Sequence, residues 1–184
     1  MTTARGFTIV ELIITITVMS ILMTLAVVNL RSTQVQARDT ERASDIDAMA
    51  KRLDSLYTRG FTPESDVVGS AIRGSYPPTA WMKDDAPNTR AKLFNELPPG
   101  VMIDPSQDSA AGSIGVATNT STGTTIGSGA VAPFPSSDNP YVYQPIADDG
   151  SLCDSTAKTC RKFNLYAWVE ATPDTAIKIE SRYR

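Results

Sequence analysis

Apolar and polar positions divide this chain into segments of distinct character. Between Phe7 and Leu30 the only charge is Glu11, in an otherwise apolar run. A helix of that length, at about 1.5 Å per residue, reaches roughly 36 Å, enough to cross a hydrocarbon core with some tilt. Neither Gly nor Pro occurs between Phe7 and Arg59, so no residue type that normally breaks or kinks a helix interrupts the path. The pattern predicts one helix continuing to about Tyr57, roughly 75 Å in all. Its second part carries Ile46, Met49, Leu53 and Leu56 at three- and four-residue steps, an apolar stripe able to hold a small domain. Asp47 and Lys51 form an i,i+4 pair away from the stripe. Gly60 followed by Pro63 supplies the stop.

The end of the chain has a different period. Tyr141 to Ile146, Phe163 to Val169 and Ala176 to Glu180 alternate or are enriched in β-branched and aromatic residues. Turn-rich pieces separate them, the second being Thr172-Pro173-Asp174, and a three-strand antiparallel meander follows. Between helix and meander, Gly74-Ser75-Tyr76-Pro77-Pro78 marks a turn or extended piece. Asp85 to Leu97 predicts a short helix using Leu93, Phe94 and Leu97, ended by Pro98, Pro99 and Gly100. From Ser106 to Ser137 the residues are mainly Ser, Thr, Gly and Ala. That composition buries little area against the entropy of ordering it and predicts a mobile surface loop.

Charge sharpens the picture at two places. An ionised carboxylate inside a bilayer costs on the order of 3 kcal/mol on insertion scales, so Glu11 needs a partner or a task. Lys and Arg are absent between Arg5 and Arg31, so the partner must come from a chain terminus, another subunit or the interface. A cut after Gly6 would place a new amine on Phe7, four residues from Glu11. That pair shares a helix face within one helix, or becomes an assembly contact across two staggered helices. The second place is Gln36 to Asp47, where Arg38, Asp39, Glu41, Arg42, Asp45 and Asp47 crowd together. As a charge run it reads first as solvated helix surface, with subunit register in a helical bundle as the other reading.

Arg5, Gly6, Phe7, Glu11 and the long apolar helix after them resemble the prepilin signature of type IV pilins and type II secretion pseudopilins. The resemblance covers mainly the first thirty residues. It implies a leader of residues 1–6, cleavage between Gly6 and Phe7 by a membrane prepilin peptidase, methylation of the Phe7 amine, and a role for Glu11 in neutralising the amine of a neighbouring subunit. The implied fold is α+β: a long amino-terminal helix packed on a small carboxy-terminal antiparallel sheet. The implied divisions are a transmembrane and assembly helix at 7–30, its amphipathic continuation at 31–59, and an extracytoplasmic domain at 60–184 with the flexible loop at about 106–137. The implied partners are the peptidase, identical or related subunits, the assembly machinery and, before assembly, membrane lipid.

Composition removes several other functions. The chain has 184 residues and a formal charge of −3, and departure of Arg5 with a leader leaves 16 basic against 20 acidic residues. This is no electrostatic footprint for nucleic acid. Histidine is absent, which excludes Ser-His-Asp and Cys-His nucleophilic arrangements and the usual zinc hydrolase sets. Carboxylate-only chemistry stays open but has no paired motif. No enzyme activity, cofactor or metal is expected. Cys153 and Cys160 are the only cysteines, and an exported pair usually forms a disulfide, with two free thiols in a reducing compartment as the alternative. Asp148, Asp149, Ser151 and Asp154 cluster in the same connection, yet calcium needs six or more oxygens. Asn119-Thr120-Ser121 fits the N-glycosylation pattern, a match common by chance.

The expectation is a membrane-anchored structural subunit that polymerises into a pilus-like filament or pseudopilus, with its amino terminus cytoplasmic and its globular part outside. The readings set against it are an ordinary cleaved signal peptide ending near Val35-Gln36-Ala37, a plain signal anchor, and a monomeric anchored binding module that does not polymerise.

Overall fold

The computed structural model describes residues 6–61, 72–83, 87–98, 100–106, 114–125, 134–135, 140–155 and 157–183. The first five residues, Pro63, and 107–113 and 126–133 of the Ser/Thr-rich stretch lie outside them. Helix α1 runs Ile9–Arg59 without a break. It ends where the sequence places the stop: Gly60 takes φ 86°, and its N–H donates to the Leu56 carbonyl at 2.8 Å. This is the left-handed cap that glycine adopts without a Cβ penalty. By its internal contacts the chain forms one unit up to Ala37 and a second from Arg38 to Arg184.

In the second unit, a short 3-10 turn (Thr79–Trp81) and helix α2 (Pro87–Leu93) lead to strands β1 (Ile114–Val116), β2 (Tyr141–Ala147), β3 (Cys160–Trp168) and β4 (Ala176–Glu180). Proline at the first position of α2 costs nothing, because that N–H has no intrahelical partner. The sheet order is β1-β2-β3-β4. β2 to β4 form the expected meander, with Tyr143 opposite Leu165 and Leu165 opposite Ile179.

The structure departs from the all-antiparallel expectation at one edge. β1 pairs with β2 in parallel, Ile114 against Tyr141, so the sheet is mixed and has a fourth strand. That strand comes from the Ser/Thr-rich stretch, where three short residues gave too brief a pattern to read. After β1 the chain crosses the sheet: the Ala176 N–H donates to the Thr124 carbonyl at 3.0 Å, and Thr125 bridges Thr175.

Alternation sends Tyr141, Tyr143 and Ala147 of β2 and Phe163, Leu165 and Ala167 of β3 to one face. There they join Ile46, Met49, Ala50, Leu53 and Leu56 of α1 in a single buried core, with Ile177 and Ile179 of β4 packed against it. The opposite face buries Val142 and Tyr166 beneath Ala117. Gln144 on that face is fully buried. Its amide donates to the carbonyls of Asn119 and Ser121, both at 2.8 Å, and its oxygen accepts from Asn164 at 2.6 Å. One glutamine therefore ties the 117–125 segment down on the sheet.

Candidate functional site

The amino-terminal unit is built around the start of α1. Thr8 precedes the first helical residue, and its hydroxyl accepts from the Glu11 N–H at 3.2 Å. The Glu11 carboxylate accepts in return from the Thr8 N–H at 3.2 Å and the Thr8 hydroxyl at 3.1 Å. This Thr-x-x-Glu exchange is a capping box, which satisfies amides that the first turn leaves without intrahelical partners. Negative charge there is also favoured by the helix dipole. Glu11 thus has a local occupation that spacing to Phe7 alone does not show.

Phe7 stands 86% exposed. At Gly6, an added Cβ would meet nothing within 4 Å, so no packing among the described residues requires glycine there. From Phe7 to Leu30 the large apolar side chains that the structure describes are exposed, and the helix is long and apolar enough to cross a membrane. Its hydroxyls are accommodated within the helix. Thr15 donates to the Leu12 carbonyl at 2.8 Å, Thr17 to Ile14 at 2.8 Å, Ser20 to Ile16 at 2.7 Å and Thr24 to Ser20 at 2.8 Å. Each donor is satisfied inside its own turn, the condition that a hydrocarbon environment imposes on polar groups.

Several charges from Gln36 to Asp47 are not on solvated surface. Arg42 is fully buried and Asp45 is 9% exposed, while Glu41 and Asp47 are exposed as expected. Arg42 makes two bonds of 2.9 Å to the buried carboxylate of Asp104 and one of 2.8 Å to Asp39. Its guanidinium lies 4.8 Å from the Trp168 ring centre, within cation–π range. Asp39 accepts from the N–H groups of Glu170 at 2.8 Å and Ala171 at 3.0 Å. Arg38 forks onto Glu170 at 2.8 and 2.5 Å. The signal was present in the spacing: 42, 46, 49, 53 and 56 form one stripe, so Arg42 extends the core face back by a turn.

These contacts set the ionisation of the cluster. Burial pushes the Asp104 carboxyl up, but Arg42 and Ser106 outweigh it and hold it below the usual range. The Arg38 hydrogen bond lowers Glu170. Among the described residues no cation pairs with Asp45: burial raises it to about 6 against a hydrogen bond from the Tyr141 hydroxyl, which is 2.7 Å long. Further along α1, Arg52 donates to the Leu93 carbonyl at the end of α2 at 2.7 Å and pairs with Glu96. Asp54 accepts from the Tyr76 hydroxyl at 2.8 Å.

Cys153 and Cys160 are joined by a disulfide with 5.6 Å between Cα atoms. Beside it, the Lys158 ammonium donates to the Ser151 hydroxyl at 3.2 Å and the Leu152 carbonyl at 3.0 Å, and pairs with Asp154 at 3.2 Å. Among the described residues, no group of three or more acidic or cysteine side chains is placed to hold a metal ion. Asn119 accepts from the Ser121 N–H at 3.0 Å, and its carbonyl is taken by Gln144.

Residues 1–27 match the family model described as the prokaryotic N-terminal methylation motif, the prepilin signature of type IV pilins and pseudopilins. Neither a curated protein nor a solved structure matches the chain. The motif covers most of the amino-terminal unit's apolar segment, and the α+β arrangement of a long helix on a small sheet accompanies it.

Proposed function

We propose that this chain, which carries a type IV pilin-like precursor motif, is a structural subunit that is cut between Gly6 and Phe7, methylated on the Phe7 amine and polymerised through the apolar part of α1. The observation that carries the reading is the methylation motif at residues 1–27 on the first part of α1, whose described large apolar side chains are presented outward. A surface of that kind is stable in lipid or against equivalent helices, and the same residues serve both states. Glycine at position 6, with no neighbour to fit among the described residues, answers to an outside requirement, and the active site of a membrane peptidase is such a requirement.

Glu11 then changes partner. In the precursor it bonds Thr8. After cleavage, the Phe7 amine of an incoming subunit offers a full positive charge, a stronger partner than a neutral amide and hydroxyl. The globular part lies outside the cytoplasmic membrane, where its cysteines oxidise, and the subunit's partners are the prepilin peptidase, other subunits and the assembly machinery. Families with this motif supply structural subunits, so the role is architectural and not catalytic.

Terminal mass analysis of protein purified from its native membrane or filaments tests the reading. A chain beginning at methylated Phe7 is expected, and an intact Met1 in cells that possess the peptidase would overturn it. Glu11→Ala is expected to insert in the membrane normally yet to depress incorporation into filaments. Normal assembly of that variant would remove the proposed role of Glu11.

A further inference from the structure

The apolar stripe of α1 holds the helix on the sheet but does not by itself fix its position. Hydrophobic contact is non-directional, and apolar surfaces of similar volume tolerate shifts against one another. Directional contacts do fix position: α1 makes single bonds at Asp45 and Asp54 and an Arg52 contact near its end, but among the described residues its one enclosed charged fork lies at residues 38–42. Within residues 38–42, α1 sends Arg42 to Asp104, Asp39 to the backbone N–H groups of Glu170 and Ala171, and Arg38 to the Glu170 carboxylate. The Arg42 guanidinium is wholly enclosed, with the Trp168 ring on one side. A bidentate pair keeps its geometry only over a few tenths of an ångström and a narrow angle. Rolling or sliding α1 by even part of a turn would break it.

We infer that Arg42, gripping Asp104, Asp39 and Glu170, is the positioning residue that fixes the rotational register of the sheet against residues 38–59 of helix α1. The inference rests on the polymerisation reading for its purpose. A filament of equivalent subunits repeats one set of helix contacts and one set of domain contacts, so every subunit must carry its domain at the same angle on the helix. A stripe of interchangeable apolar side chains leaves that angle loose, and a buried fork of charges sets it. This is the specificity role that buried ionic groups can serve even where apolar replacements are no less stable.

The test uses the full chain in detergent micelles, with spin labels on cysteines replacing exposed Lys51 on α1 and exposed Asp174 beyond β3, the native disulfide left oxidised. The otherwise native chain is expected to give one narrow distance distribution. Arg42→Met with Asp104→Leu removes one charge of each sign. It is expected to keep the urea midpoint within error or raise it, while the distance distribution widens at least twofold. Arg42→Lys, which keeps the charge but loses the fork, is expected to widen it as well. A folded Arg42→Lys or double variant with the native width overturns the inference. In cells, filaments of the double variant are expected to lose their single helical symmetry. Wild-type cells with no filaments at all would defeat the polymerisation reading, and the micelle distances would still decide the register.

Discussion

Arg42 and Asp104 stand 62 residues apart in the chain and meet through two hydrogen bonds of 2.9 Å, with neither side chain reaching solvent. Their meeting joins the base of the core-facing part of α1 to the loop before β1. Breaking a buried pair from one side leaves an uncompensated charge, which costs about 3–5 kcal/mol.

Arg42→Ala and Asp104→Ala should therefore each lower the unfolding free energy by about 3–5 kcal/mol, and the double variant by far less than their sum. Urea titration of the four proteins closes the cycle. Additive losses would mean that the two residues do not act as a pair.

Stability should rise as the pH falls from 7 towards 5, because of Asp45. Its folded value is raised to about 6 from an ordinary 3.8, so the folded state takes up a proton in a range where the unfolded chain does not. The penalty of holding Asp45 ionised is present above that window and relieved below it. Asp104 and Glu170 are lowered and act in the opposite sense, withdrawing stability once the pH falls below their ordinary range. The optimum is expected between about pH 4 and 5. Asp45→Asn should flatten the rise between pH 7 and 5, as thermal melts across that range would show. A wild-type profile already flat there would contradict an Asp45 that titrates near 6.

Gln144→Leu should loosen the segment that crosses the sheet. The substitution deprives the Asn119 and Ser121 carbonyls of their amide donors and Asn164 of its acceptor, and each unsatisfied buried group costs about 1–3 kcal/mol. Hydrogen exchange at residues 117–125 is expected to accelerate about tenfold or more, with β3 amides affected less. Unchanged protection would show that packing of Ala117 on Val142 and Tyr166 suffices without the amide.

Replacing both Cys153 and Cys160 by Ser should cost about 2.5 kcal/mol by the chain-entropy relation for so short a loop. The fold should persist, since Cys153 and Cys160 are two small members of a core supplied mainly by the larger side chains of α1, β2 and β3. The loss should localise: Cys160 accepts from the Tyr76 N–H at 2.8 Å and Cys153 from the Thr79 N–H at 2.9 Å, so the bridge also fastens the 76–79 segment. Thermal melts with and without reductant, combined with exchange rates at those amides, measure both effects. Global unfolding on reduction would show that the bridge is required for the fold.

What could be read from sequence was whatever local periodicity encodes. The uninterrupted α1, the glycine cap at Gly60, the stripe from Ile46 to Leu56 and the three strands of the meander all follow from spacings of two to four residues. Strand β1 was not legible, because three residues do not establish an alternation and their parallel partner lies far along the chain. The capping box is legible as Thr8-x-x-Glu11, a local pattern that coexists with the four-residue spacing of Phe7 to Glu11.

The sequence by itself determined the membrane-length helix, the prepilin signature around Gly6, Phe7 and Glu11, and the cysteine pair. Each rests on near neighbours or on covalent order, which folding does not rearrange. Only the tertiary structure decided which charges are buried and with whom. Spacing puts Arg42 on the core-facing stripe, but its partners are settled only when Asp104, Glu170 and Trp168 close around it. The partner of a charge is chosen by chain segments that meet only when the sheet packs on the helix, and no local pattern records that meeting.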